Sequence, residues 1–118
     1  MALDGFYRIE ASNRTETGWK VDLTLIAGHR IYEGHFPEKA VVPGMCTLTV
    51  IREVLSQLLE KPVMFSYIRE CKFLSALLPE EDIRLSLDIQ YSAEGKVKCL
   101  VSEGETSAMK LSAEIIEI

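Results

Sequence analysis

A chain of 118 residues, 47% hydrophobic and 26% charged, holds a single small domain with one core, which excludes the disordered and fibrous classes. Its formal net charge of -5, with lysine and arginine scattered, offers no basic field for phosphates and argues against a nucleic-acid partner. No apolar run approaches the roughly 20 residues of a bilayer span, so no membrane partner is expected either.

Residues 1–5, Met-Ala-Leu-Asp-Gly, carry neither a basic head nor an apolar stretch, so no secretory signal is expected and a cytoplasmic location is. Two strands are predicted over 6–11 and 20–26, joined by a polar turn over 12–18. Val21, Leu23 and Leu25 alternate with Asp22 and Thr24, the period of a strand with one buried face. His29 follows the turn glycine Gly28 and reads as a solvated loop residue.

Next comes Gly34-His35-Phe36-Pro37, then Val41-Val42-Pro43-Gly44 opening an apolar segment. Two prolines fix φ and a glycine permits close backbone approach, so His35 is expected beside the N–H groups of a helix start. A base candidate next to an oxyanion-binding helix end is half of an active site.

The helix is predicted over 44–60, stopped by Lys61-Pro62. Leu48, Val50, Ile51, Val54, Leu55, Leu58 and Leu59 give it a broad apolar face. The polar arc holds Thr49, Arg52, Glu53, Ser56, Gln57 and Glu60, with Met45 and Cys46 expected at its N-terminal end. Strands follow over 63–74, 82–91, 96–101 and 106–116, with hairpin turns at Ala93-Glu94-Gly95 and Glu103-Gly104-Glu105. Cys46, Cys71 and Cys99 lack metal-type spacing and suit packed thiols, so no metal site is expected. The order of elements implies an α+β domain over residues 1–118, an antiparallel sheet around one long helix.

The stretch Gly34-His35-Phe36-Pro37 with Val41-Val42-Pro43-Gly44 resembles the signature of the bacterial β-hydroxyacyl-acyl-carrier-protein dehydratases of the hot-dog fold. Ile68 to Phe73, followed by Leu78-Pro79-Glu80-Glu81-Asp82, is a second, weaker likeness. The resemblance implies a hot-dog fold and a homodimer or higher oligomer paired through the strand over 63–74, with half of each site from each chain. It implies dehydration of a 3-hydroxyacyl thioester to a trans-2-enoyl thioester in fatty-acid or related acyl-chain synthesis, with no cofactor. The substrate's carrier is an acyl carrier protein or coenzyme A.

By the same likeness His35 is the base, and the Gly44 N–H binds the thioester oxygen, aided by the helix dipole. Pro43 and Met45 flank that donor, and Phe36 packs as core or tunnel wall. The family's second catalytic group, a helix Glu or Asp fourteen positions after the histidine, falls here on Thr49. An aliphatic hydroxyl is a far weaker acid than a carboxyl. Three readings therefore stay open: Thr49 positions a water while His35 does both proton transfers; Glu53, one turn on, supplies the carboxyl; or the domain only binds acyl carriers as a scaffold. A thioesterase is a further alternative, against which the His35 signature counts. An acidic carrier needs a local basic rim, for which Arg30, Lys39, Arg52, Arg69 and Lys72 are the candidates.

Overall fold

The structure, a computed structural model, describes residues 5–27, 42, 44–78 and 81–118. The elements run β1 (Tyr7–Arg14), β2 (Gly18–Leu25), α1 (Gly44–Leu59), β3 (Val63–Phe73), β4 (Ile83–Tyr91), β5 (Lys96–Glu103) and β6 (Thr106–Glu117). The six strands form one antiparallel sheet in the order β1-β2-β4-β5-β6-β3.

The inner face of the sheet follows from the alternation of its sequence. Ile83, Leu85, Leu87 and Ile89 are buried while Arg84, Asp88 and Gln90 are exposed. Val21, Leu23 and Leu25 of β2 and Val97, Cys99 and Val101 of β5 extend that floor. Against it α1 sets Cys46, Val50, Ile51, Val54 and Leu55, all buried. Each such side chain contributes about 1.5–3 kcal/mol of transfer free energy, which holds the helix in place far better than its own propensity does.

Two expectations need correcting. The polar turn predicted over 12–18 is mostly strand: Asn13 pairs with Lys20 and Arg14 with Trp19, leaving a short connection closed by the Thr15 N–H donating to the Gly18 carbonyl at 2.9 Å. These polar residues are exposed because β1 is an edge strand, not because the chain turns there. Gly18 must be glycine, since a Cβ there would lie 2.0 Å from the Ile89 carbonyl oxygen. Cys46 is buried, as its reading as a packed thiol expects, so its placement at the end of the helix's polar arc is what needs correcting. It sits one turn before Val50 and so shares the inward stripe.

The C-terminal end of α1 is closed by its own chain. Glu60 adopts a left-handed φ of 56°, its N–H donates to the Gln57 carbonyl at 3.2 Å, and the Lys61 N–H reaches back to the Ser56 carbonyl at 3.1 Å. This pair of bonds is a Schellman closure. The Ser56 hydroxyl then accepts the N–H of buried Val63 at 3.1 Å, stitching the helix end to the start of β3.

The two edge strands differ in chemistry. β1 presents Arg8, Glu10, Ser12, Asn13 and Arg14, a charged and polar edge that discourages further pairing. β3 is eleven residues long and exposes Met64, Tyr67, Ile68 and Phe73 among its outward side chains.

Candidate active site

The helix starts at Gly44, and its first turn contains no acidic residue to offset the positive end of the dipole. The entry is pinned by Val42, whose N–H donates to the Leu77 carbonyl at 2.9 Å. Phe73, at the end of β3, brings the tip of its ring against Gly44: a Cβ on that glycine would lie 2.5 Å from the ring's Cζ. Glycine is thus required for the ring to lie there. Beneath it opens a cavity of about 200 Å³ lined by Val42, Gly44, Phe73, Leu77, Ala108 and Met109, a nearly all-apolar wall at a helix N-terminus. A larger cavity of about 550 Å³ lies on the outer sheet face among Arg69, Glu70, Asp88, Lys98 and Lys110. Its charged walls and its distance from the helix make it a poor place for an acyl chain.

Farther along the polar arc, the Thr49 hydroxyl donates to the Met45 carbonyl of its own helix at 2.8 Å. Its one proton is committed to the backbone, leaving only acceptor lone pairs for other groups. Glu53, half-buried one turn on, accepts a hydrogen bond at Oε1 from the Tyr7 phenol of β1 at 2.9 Å, and its Oε2 lies 3.8 Å from the Arg52 guanidinium. Burial, reinforced by the bond to Glu53, pushes the Tyr7 phenol well above its ordinary pKa, so it keeps its proton. Met45 is largely exposed. The Cys46 thiol is pushed up by burial, the opposite of what a helix N-terminus does to an accessible thiol.

His35, Phe36 and Pro43 lie outside the described residues, as do Arg30 and Lys39 of the expected basic rim. Of the other rim candidates, Arg52 faces Glu53, Lys72 lies 3.8 Å from Glu70, and Arg69 lines the outer-face cavity. Among the described residues no cluster of histidine, cysteine and carboxylates is suited to a metal ion, and no helix is long and apolar enough to cross a membrane.

One geometric relation constrains any chemistry here. Gly44 and Glu53 are nine positions apart, about 13 Å along the helix axis. The carbonyl oxygen and the β-hydroxyl of one 3-hydroxyacyl thioester lie within about 4 Å of each other. A single protomer's Gly44 and Glu53 therefore cannot both serve one substrate. The sequence singled out both residues but missed Tyr7. The signal was present in the alternation of β1, which turns Tyr7 and Ile9 toward the core and brings a phenol to the helix's polar arc.

Comparison with known proteins agrees with this architecture. A family model described as ApeI-like, ApeI dehydratase, matches residues 11–111. The 3-hydroxyacyl-[acyl-carrier-protein] dehydratase FabZ of Macrococcus caseolyticus (strain JCSC5402) is 30% identical over 84 residues, covering 65% of this chain and 54% of that protein, so the chain spans about half of that relative's length. The dehydratase heterocomplex ApeI:P from Xenorhabdus doucetiae superposes with a TM-score of 0.73 at 17% identity, covering 93% of this chain and 97% of the other. The E. coli PaaI protein from the phenylacetic acid degradation operon gives a TM-score of 0.64 at 7% identity, covering 98% and 83%. The expected hot-dog fold is the fold observed.

Proposed function

Because this chain belongs to the ApeI-like dehydratase family, we propose that it removes water from a 3-hydroxyacyl thioester carried on an acyl carrier protein or coenzyme A, giving a trans-2-enoyl thioester for fatty-acid or related acyl-chain synthesis. The observation that carries this reading is the apolar cavity at the open N-terminal end of α1. A thioester oxygen at the Gly44 N–H would place the acyl chain along apolar walls, with donors waiting where enolate charge develops.

In this scheme His35 takes the α-proton and the electron pair moves to form the Cα–Cβ double bond. The Cβ–O bond breaks, and the carboxyl of Glu53 from a facing protomer gives its proton to the departing hydroxyl, which leaves as water. Proton return from His35 to Glu53 through solvent resets the site. The commitment of the Thr49 proton to the Met45 carbonyl favours Glu53 over Thr49 as the acid. The axial separation of Gly44 from Glu53 favours a site shared between two chains. The apolar edge of β3 supports pairing there, where two copies would continue the sheet across the boundary.

Turnover of 3-hydroxyacyl thioesters of several chain lengths on both carriers, followed by enoyl product formation, tests the scheme. His35→Ala is expected to lower kcat by roughly a thousandfold with the oligomer intact. Wild-type protein inert on every chain length and both carriers would sink the proposal.

A second reading is favoured by one observation: a similar structure is a dehydratase heterocomplex, and this chain has Thr49 at the position of the family carboxyl. There the chain binds acyl carriers while a different subunit supplies the acid. No turnover alone, with activity restored by a related chain, would favour it over the homodimer.

A further inference from the structure

We propose that the Thr47 hydroxyl binds the β-hydroxyl of the substrate, so that one protomer holds both oxygens of a 3-hydroxyacyl thioester, the carbonyl at the Gly44 N–H and the β-oxygen at Thr47. This rests on the dehydratase reading above and adds the group that recognises the 3-hydroxy substituent.

Thr47 ends the first turn of α1, is 7% exposed, and lines the apolar cavity beside Gly44. Burying a hydroxyl without a partner costs stability, and folded proteins satisfy nearly all such groups. Two hydroxyls nearby follow that rule. Thr49 donates to the Met45 carbonyl at 2.8 Å, and Ser75, also in the cavity wall, donates to the Ser107 carbonyl at 3.3 Å. The Thr47 hydroxyl makes no hydrogen bond to any described residue. Its proton and lone pairs are open to whatever enters the cavity.

Spacing identifies the occupant. Thr47 stands three positions after Gly44, about 4.5 Å along the axis and on the same face. Its Cα–Cβ bond leans toward the helix N-terminus, which carries the hydroxyl back toward the Gly44 N–H. The carbonyl and β-oxygens of one substrate lie within about 4 Å of each other, so the two donors match them. Thr47 donates to the β-oxygen, whose second lone pair takes the proton from the acid. As the Cβ–O bond breaks, negative charge grows on that oxygen and the bond from Thr47 strengthens, while Thr47 keeps its own proton. An acyl thioester lacking the hydroxyl leaves Thr47 buried and unpaired, which sets the discrimination.

Thr47→Val keeps the side chain's shape and removes its hydrogen bonding, so it separates recognition from packing. Calorimetry in a His35→Ala background, where the hydroxy ligand is not consumed, compares a 3-hydroxyacyl thioester with its 3-deoxy counterpart of the same length, on acyl carrier protein and on coenzyme A. The 3-hydroxy ligand is expected to bind about tenfold tighter. Adding Thr47→Val is expected to abolish that preference, and Thr47→Ser, which retains a hydroxyl, to keep it. With His35 intact, Thr47→Val is expected to lower kcat/KM about tenfold. Because the hydroxyl is unpaired in the free protein, the same substitution is expected to raise Tm by about 4 °C.

Binding reads the contact whether or not the protein turns over substrate, so the two ways of failing can be told apart. Equal binding of the two ligands, no binding of either on either carrier, or a preference that survives Thr47→Val overturns the role of Thr47; wild-type turnover then leaves the dehydratase scheme standing. A Tm lowered by Thr47→Val means that the hydroxyl is bonded within the fold, and it overturns the role as well. A preference lost in Thr47→Val, from a protein whose wild type is inert, upholds the contact and removes the dehydratase reading.

Discussion

The two ends of α1 are built on opposite rules. At the C-terminal end several devices close the helix: a left-handed residue, two backward N–H bonds, a serine hydroxyl reaching the next strand, and a proline beyond. At the N-terminal end the first turn has no acidic side chain, the first residue is a glycine, and among the described residues an apolar cavity lies beside it. Closure is spent where the helix needs support, and openness is kept where the proposed chemistry needs donors. Substitutions at one end should therefore change stability without changing turnover, and substitutions at the other should do the reverse.

Gly44→Val gives the sharpest contrast. The new side chain collides with the Phe73 ring, which is 57% exposed and can swing away, so the fold should survive with a stability change under about 1 kcal/mol. On the proposed scheme the thioester's place beside the N–H is then filled, and kcat/KM should fall about a hundredfold. A comparable loss of stability, read by denaturant unfolding, would break the distinction between the ends.

Ser56→Ala probes the other end. Removing the hydroxyl leaves the N–H of buried Val63 without its acceptor, a cost of about 1.5 kcal/mol after the better helix propensity of alanine is allowed for. Turnover at saturating substrate should not change. Cys46 sharpens the contrast by another route. Its thiol is pushed up by burial, so below its folded pKa the thiolate fraction is smaller than that of an exposed cysteine at the same pH. Alkylation by iodoacetamide near pH 8 should be about tenfold slower than for a free cysteine, accelerating only as pH climbs past the ordinary thiol range. Rapid labelling at neutral pH would mean that the dipole reaches a thiol after all. The smallest effect is expected from Glu60→Gly, which relieves a left-handed conformation costly for a side chain and should add about 1 kcal/mol of stability with activity unchanged.

Most of the architecture was legible in the sequence because burial imposes period. Strict alternation in β4 and the inward stripe from Val50 to Leu55 each allow one placement of the core. The first hairpin was misjudged because exposure on an edge strand and exposure in a turn give the same composition; only pairing with Trp19 and Lys20 tells them apart. Cys46 was misplaced because a short apolar residue near a helix start can be counted onto either side of the stripe. At the candidate site, Gly44, Thr49 and Glu53 were identifiable from spacing and resemblance. Their neighbours were not, because the contact of Tyr7 with Glu53 joins residues 46 positions apart, and Phe73 meets Gly44 only once the sheet has formed. Periodicity says which face a side chain occupies but not which distant partner waits there.

The edge of β3, unpaired by any strand among the described residues, also bears on how the protein comes into being. A newly made chain that has folded its sheet still carries an eleven-residue template with Tyr67 and Ile68 exposed on it, and any strand-forming segment nearby can add to it. If the proposed pairing through β3 holds, the interval between leaving the ribosome and that pairing is the hazardous one. Expression at low temperature, which slows synthesis and leaves fewer bare edges present at once, should raise the recovered fraction of native protein more than any substitution in the core.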